Sequence, residues 1–227
     1  LNPTLQNPTT ITISDQRRRD IAAMARRFKL PIVEDDAYGF IPAHGHAPFA
    51  AIAPDLTWHV AGLAKCIGAG LRAAYVVVPD TRSIWPFAAA LRAATVMASP
   101  LTVALVTRWI EDGTADTMLR FIRSETTARQ KLVSEILPKG MHKSDALSFN
   151  IWVELPDGLW NRTAFVEHMR STGIGVVASD AFTVSGAPPE AVRVCLGGPI
   201  GRPRLAAGLE YMAHALTESP ALASAFL

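Results

Sequence analysis

The sequence predicts an α/β protein with a larger sheet-bearing part followed by a smaller α+β part, and three observations carry that prediction. Short β-prone runs at Ile32–Val33, Thr57–Leu63 and Ala73–Val78 lead into polar or glycine-rich loops, the arrangement by which an α/β sheet gathers ligands beyond its strand ends. Helical periodicity takes over from Thr81 to Leu137, and strands and helices resume beyond Pro138. With 227 residues, 49% hydrophobic and 19% charged, the chain can bury a sizeable core in one large or two modest domains.

The net charge of +2 comes from interspersed signs, so composition gives no electrostatic case for nucleic-acid or membrane binding by this chain. Arg17–Arg18–Arg19 and Arg26–Arg27 fall on one predicted helix and are expected to form a solvated face. Cys66 and Cys195 match no metal or redox spacing, and no apolar run reaches about 18 residues. Together with the lack of a signal peptide, this predicts a reducing cytoplasm. Leu1 is not an initiator methionine, and the first ten residues carry two Asn-Pro-Thr triplets. The chain is therefore expected to be a fragment with more of the same fold upstream.

In chain order, Ser14 is a good N-cap, and Ile21, Ala22, Met24, Ala25 and Phe28 recur at helical spacing, predicting a helix over Ser14–Lys29. Pro31 ends it. Ile32–Val33 begin a short buried strand running into Glu34-Asp35-Asp36-Ala37-Tyr38-Gly39. Pro42–Pro54 reads as an irregular loop, whose His44 and His46 lack the further ligands a metal would need. Thr57–Leu63 and Ala73–Val78 read as neighbours in one buried sheet, flanking a loop that holds Lys65, the small residues Gly68-Ala69-Gly70, and Arg72.

Helices are predicted at Thr81–Ala98, Leu101–Glu111 and Ala115–Leu137, the last long enough to bridge two domains. A strand at Phe149–Leu155, a helix at Asn161–Thr172, strands at Ile174–Ala178 and Ala191–Leu196, and a helix at Arg202–Thr217 follow. Leu222–Leu227 reads as a frayed tail.

The residues that carry chemistry are few. A lysine held between strands is a candidate nucleophile, and pyridoxal phosphate requires an amine, a carboxylate for its ring nitrogen, donors for its ring oxygen and cationic groups for its phosphate. Lys65, Asp35, Asn7 with Tyr38, and Arg72 are of those types. Each alone is a weak signal; together they resemble a known family.

The motifs Gln6-Asn7-Pro8-Thr9, Asp35-Asp36-Ala37-Tyr38, Lys65 with Gly70-Leu71-Arg72, and Val192-Arg193-Val194 resemble the fold-type I, pyridoxal-phosphate-dependent aminotransferases of classes I and II. The resemblance implies that Lys65 holds the cofactor's aldehyde carbon as an imine and Asp35 its ring nitrogen. It further implies that Asn7 and Tyr38 bind the phenolic oxygen, Arg72 the phosphate, and Arg193 the substrate α-carboxylate. Asp35 is preferred over Asp36 because Tyr38 then follows three residues on, as in the family pattern, and adjacent strand residues point to opposite sides. Gly62 and Ala64 stand where the family usually has serines, Ala69 where it has proline, and Thr10 where it often has glycine, so the resemblance implies a thinner phosphate grip. The family's phosphate-binding helix N-terminus and ring-stacking aromatic precede the Asn-Pro-Thr motif, which would place them upstream of Leu1.

On the family plan, residues 1–112 are the C-terminal part of the large cofactor domain, with a mostly parallel sheet. Residues 113–227 are then a bridging helix and small C-terminal domain. Within the family the wording of Pro3–Thr9, Ile32–Gly39 and Trp58–Arg72 is most similar to the aminotransferase-like domain of MocR/GntR-type transcriptional regulators. That implies a sensor of an amine or amino acid acting through Lys65, a homodimer, and DNA contact only through a separate N-terminal domain. The alternatives are a free-standing aminotransferase moving an amino group between an amino acid and a 2-oxo acid, and a structural or dimerisation domain that has lost cofactor chemistry.

Overall fold

A computed structural model of the chain describes residues 1–217; the expected frayed tail at Leu222–Leu227 lies outside the described residues. The chain packs as two compact units. One comprises Leu1–Thr4 and Thr12–Arg123, and the other comprises Leu5–Ile11 and the chain from Ser124 onward.

The first unit begins with helix α1, Asp15–Phe28, capped as the sequence predicts: the Ser14 side chain accepts from the Arg17 N–H, and Lys29 ends the helix in the left-handed conformation. Its buried residues are Arg18, Ala22 and Ala25, while Met24 and Phe28 are more than half exposed. The expected solvated arginine face is thus corrected at one position. Arg18 is 1% exposed, because it sits four and seven residues before Ala22 and Ala25 on the same apolar stripe.

Strand β1, Ile32–Asp35, buries alternate residues and pairs in parallel with β2, Thr57–Gly62. Between them the expected irregular loop contains a short helix, α2, Phe49–Ile52, entered from Pro48. Phe49 and Ala53 of this segment complete a small core with Ala22, Ala25 and Ile32. β2 pairs antiparallel with β3, Ala74–Val77, so this three-stranded sheet is mixed rather than mostly parallel. β3 is exposed at all four positions, contrary to its expected burial: its faces are not covered by the helices that follow. Those are α3, Thr81–Thr95, with no buried residue, and α4, Pro100–Glu111, which buries only Val106.

Helix α5, Thr114–Ile136, runs through the division at Arg123/Ser124. The second unit holds an antiparallel sheet in the order β4-β5-β7-β6, with β4 at His142–Lys143, β5 at Asn150–Glu154, β6 at Val176–Ala178 and β7 at Ala191–Cys195. Two-residue β4 has no sequence signal of its own. Helices α6, Arg162–Ser171, and α7, Arg202–Thr217, pack with Val133 and Leu137 against the sheet. The core is continuous, built from Ile151, Val153, Phe165, Met169, Val192, Val194, Leu209 and Met212 among others.

Among the described residues no single helix is long and apolar enough to cross a membrane.

Candidate functional site

Lys65 sits in a tight turn following β2. The Leu63 carbonyl accepts from the N–H groups of Ile67 and Gly68 at 3.0 and 3.3 Å, and Leu63 N–H donates to the Ala73 carbonyl at 3.0 Å, closing the loop onto β3. Leu63 and Cys66 face inward while Lys65 is exposed. Burial pushes the Cys66 thiol above its usual range, which makes it inert filling beside the lysine. A cavity of about 230 Å³, lined by Phe40, Leu63, Cys66, Ile67 and Tyr75 among others, backs the turn.

Lys65 Nζ lies 5.9 Å from the centroid of the Tyr38 ring. Tyr38 is 6% exposed and belongs to the turn after β1, where Gly39 N–H donates to the Asp36 carbonyl at 3.0 Å and Ile41 N–H to the Tyr38 carbonyl at 2.9 Å. Arg123 fastens the downstream side of that turn, donating from Nε to the Ile41 carbonyl at 2.7 Å and from Nη2 to the Phe40 carbonyl at 2.8 Å. Sequence reading passed over Arg123, which carries no motif.

Asp35 ends β1 and is exposed, and its carboxylate has no hydrogen bond or ion pair among the described residues. Its backbone is held on both edges: Asp35 N–H donates to the Leu1 carbonyl, and its carbonyl accepts from Asn2 Nδ2. Asp36 points the other way and is 8% exposed. There it meets Glu34, His59 and Arg18, of which Arg18 was expected on a solvated face and His59 carried no expectation. Strand alternation was the available signal, since Ile32, Glu34 and Asp36 share one face.

Arg72 follows a short 3-10 turn, Ala69–Leu71, in the left-handed conformation with φ 49°. It is exposed, and its guanidinium has no partner among the described residues. Gly62 is adjacent to this region, and a Cβ built on it would lie 3.7 Å from Ala37 Cα, an ordinary contact.

The two remaining expected residues belong to the second unit and are brought together there. Arg193, the central residue of β7, donates from Nη1 to Asn7 Oδ1 at 3.0 Å. Its guanidinium carbon lies 5.0 Å from the centroid of the Phe182 ring, and its buried Nε has no partner among the described residues. Thr10, where glycine is frequent in the family pattern, adopts φ 65°, the region that favours glycine. In the loop after β1, His46 Nδ1 pairs with Asp15 Oδ1 at 2.8 Å on the surface.

The family model for aminotransferase class I and II matches residues 2–204. The uncharacterized HTH-type transcriptional regulator YdeF of Bacillus subtilis is 30% identical over 219 residues, covering 96% of this chain and 47% of that protein. Aromatic-amino-acid aminotransferase 1 of Thermococcus litoralis is 23% identical over 193 residues, covering 79% of this chain and 45% of that protein. The crystal structure of LysN, an alpha-aminoadipate aminotransferase from Thermus thermophilus complexed with N-(5'-phosphopyridoxyl)-L-leucine, superposes with a TM-score of 0.85 at 21% identity, covering 100% of this chain and 59% of that one. At that identity the likeness shows the fold, which is that of the fold-type I aminotransferases. The chain spans about half the length of the curated relatives it matches. By its sequence match over residues 2–204 and its fold, the chain belongs to the aminotransferase class I and II family.

Proposed function

We propose that this chain is the pyridoxal-phosphate-binding, aminotransferase-like effector domain of a MocR/GntR-type transcriptional regulator, reading out an amine or amino acid. The observation that carries the proposal is the 30% identity to an HTH-type regulator sustained over 96% of the chain. DNA contact on this reading belongs to a helix-turn-helix domain of the whole protein, which works in the cytoplasm as a homodimer. The exposed apolar side chains of α3 and α4, with Trp85 78% and Leu101 83% exposed, support self-association.

The donor set of the first unit fits pyridoxal phosphate. Lys65 offers an exposed amine at the turn after β2, Asp35 an exposed carboxylate at the end of β1, Tyr38 a phenol within the same unit, and Arg72 an exposed guanidinium. The bound cofactor supplies an electrophilic carbon for an amino group and an electron sink beyond it. Lys65 would hold the cofactor's aldehyde carbon and be the group that an effector's amine displaces. Asp35 would hold the ring nitrogen in its protonated form. Arg72 would hold the phosphate.

In the second unit, the resemblance gives Arg193 the effector's α-carboxylate. Its partnerless buried Nε and its Nη1 bond to a neutral amide leave capacity for that anion. Asn7 Oδ1 accepts from Arg193 Nη1 within that unit, and the resemblance gives Asn7 the cofactor's ring oxygen. Exchange at Lys65 then shifts a conformational equilibrium that the DNA-binding domain reports.

A second reading is favoured by the likeness to the Thermococcus litoralis aminotransferase: a free-standing enzyme in which Lys65 also moves the proton at the α-carbon. The two are separated by giving the full-length protein pyridoxal phosphate and a panel of amino acids, and following absorbance and 2-oxo-acid release together. A spectral change without sustained release supports the sensor; continuing release supports the enzyme.

A further inference from the structure

On the face of β1 away from Asp35 lies a second group of ionisable side chains. Glu34, Asp36 and His59 each bring one polar atom within 4.8 Å of the others, and Arg18 Nη1 lies 3.8 Å from Glu34 Oε1. Almost every polar atom there is committed. Glu34 accepts from the Phe49 and Ala50 amides at 2.8 and 3.1 Å and pairs with His59 Nδ1 at 2.8 Å. Arg18 donates to the carbonyls of Ile13, Ala47 and Pro3 and to Thr4 Oγ1. Asp36 differs: among the described residues its Oδ1 is buried and has no hydrogen-bond partner.

One permanent cation, Arg18, and one imidazole, His59, therefore face two buried carboxyl groups, and both stand on the Glu34 side, at 3.8 and 2.8 Å from its oxygens. A second carboxylate with an unpaired oxygen is costly in such a site, and a proton removes that cost. A metal ion is a poor substitute: Glu34's oxygens already serve two amides and an imidazole, and the Arg18 guanidinium would repel it. The groups facing Asp36 are Glu34 on β1, His59 on β2, Arg18 on α1 and Thr4; α2 presents only backbone amides. Burial, the largest influence, pushes the Asp36 carboxyl above its usual range. A hydrogen bond with Thr4 opposes the rise, Glu34 adds to it, and the charges of His59 and Arg18 lower it.

The same side chain underlies the turn that carries Tyr38. Asp36 N–H donates to the Val60 carbonyl, and the Asp36 carbonyl accepts from Gly39 N–H, each at 3.0 Å. A Cβ on Gly39 would fall 2.3 Å from Asp36 Oδ2, so the carboxyl is packed directly beneath the turn. We propose that Asp36 holds a proton in the folded chain and is a positioning residue, bracing the Asp35–Gly39 turn so that Asp35 and Tyr38 keep their places. The value of that bracing rests on the cofactor reading above, but its test does not.

Infrared spectra of the protein and of Asp36→Asn at neutral pH test the proton. A buried protonated-carboxyl stretch is expected in the first and lost in the second, and its absence from the first overturns the proposal. Hydrogen exchange tests the bracing: the Gly39 and Ile41 amides exchange about tenfold faster in Asp36→Ala, while Asp36→Asn, which resembles the neutral acid, restores the slow rate. Equal rates in all three proteins overturn the positioning role. Should Asp36→Ala fail to fold, raising the pH supplies the comparison. Exchange at Gly39, corrected for base catalysis, then accelerates as the infrared band disappears, and does so only with Asp36 present. An acceleration shared by Asp36→Asn overturns the role. Neither measurement involves cofactor, so failure here leaves the cofactor reading standing, and the reverse also holds.

Discussion

Arg193 Nη1 and Asn7 Oδ1, 186 positions apart in sequence, are joined by a 3.0 Å hydrogen bond. Because a guanidinium has no acceptor, the bond orients the Asn7 amide with its oxygen toward Arg193, leaving the amide nitrogen as a donor. It also gives Arg193 a neutral partner, one that the proposed effector carboxylate would outcompete. Asn7→Asp replaces that partner with a charged one, so amino-acid affinity is expected to fall about tenfold, the scale of a charge-assisted bond. Calorimetric titration of cofactor-loaded protein measures it, and an unchanged affinity means that Arg193 does not take the carboxylate.

Gly62 stands where the family usually has a serine, yet the backbone leaves room for a side chain, with Ala37 Cα 3.7 Å from a built Cβ. Gly62→Ser is therefore expected to fold normally and to strengthen pyridoxal phosphate retention by about 1 kcal/mol, one added hydrogen bond. Dialysis against phosphate-free buffer, followed by absorbance, checks this; loss of the folded state would show that the glycine is sterically required.

Arg18 is a stability determinant with no role at the proposed cofactor. Arg18→Met removes the donor to three backbone carbonyls and leaves Glu34 buried without its cation. The cost is expected to be about 3–5 kcal/mol, read as a lowered midpoint in urea. A loss below about 1 kcal/mol, the scale of an exposed pair, would show that the buried charge is not what matters.

This residue also shows what the sequence could and could not reveal. Arg17, Arg18 and Arg19 look alike as a run, but only Arg18 shares the stripe of Ala22 and Ala25, so helical periodicity carried the distinction. Strand alternation likewise separated Asp35 from Asp36. The capped helix α1 and the sequence of β5, α6, β6, β7 and α7 followed from local pattern because apolar period and end signals agreed there. The exposure of β3 did not, since burial of a strand depends on what covers it rather than on its own apolar residues. α2 and β4 are too short to generate a period. The proposed site residues were legible only as a set, because a strand-end aspartate or a loop arginine has no signature by itself.

Glu125 makes a pH-dependent clamp on the second unit. It accepts from Arg202 and from Arg129, and Arg129 in turn donates to the Leu196 and Ile200 carbonyls, holding the loop after β7. The bonds from Arg202, then Arg129, hold the Glu125 carboxyl below its usual range. A lowered folded value contributes stability above the unfolded glutamate value and loses it as pH falls through the folded one. Wild-type protein should thus be more stable than Glu125→Gln at neutral pH, by up to about 1 kcal/mol for such partly exposed pairs. The difference should shrink below the usual glutamate range. Thermal melts at both pH values measure it; a difference independent of pH would contradict the clamp.

Lys65 is the proposed attachment point for pyridoxal phosphate, and trapping tests that assignment. The full-length protein is incubated with the cofactor, reduced with borohydride, digested and sequenced by mass spectrometry. The account predicts one pyridoxyl-phosphate addition per chain, on the peptide containing Lys65 and absent from Lys65→Ala. A modification scattered over Lys29, Lys131, Lys139 and Lys143, or none at all, would contradict it.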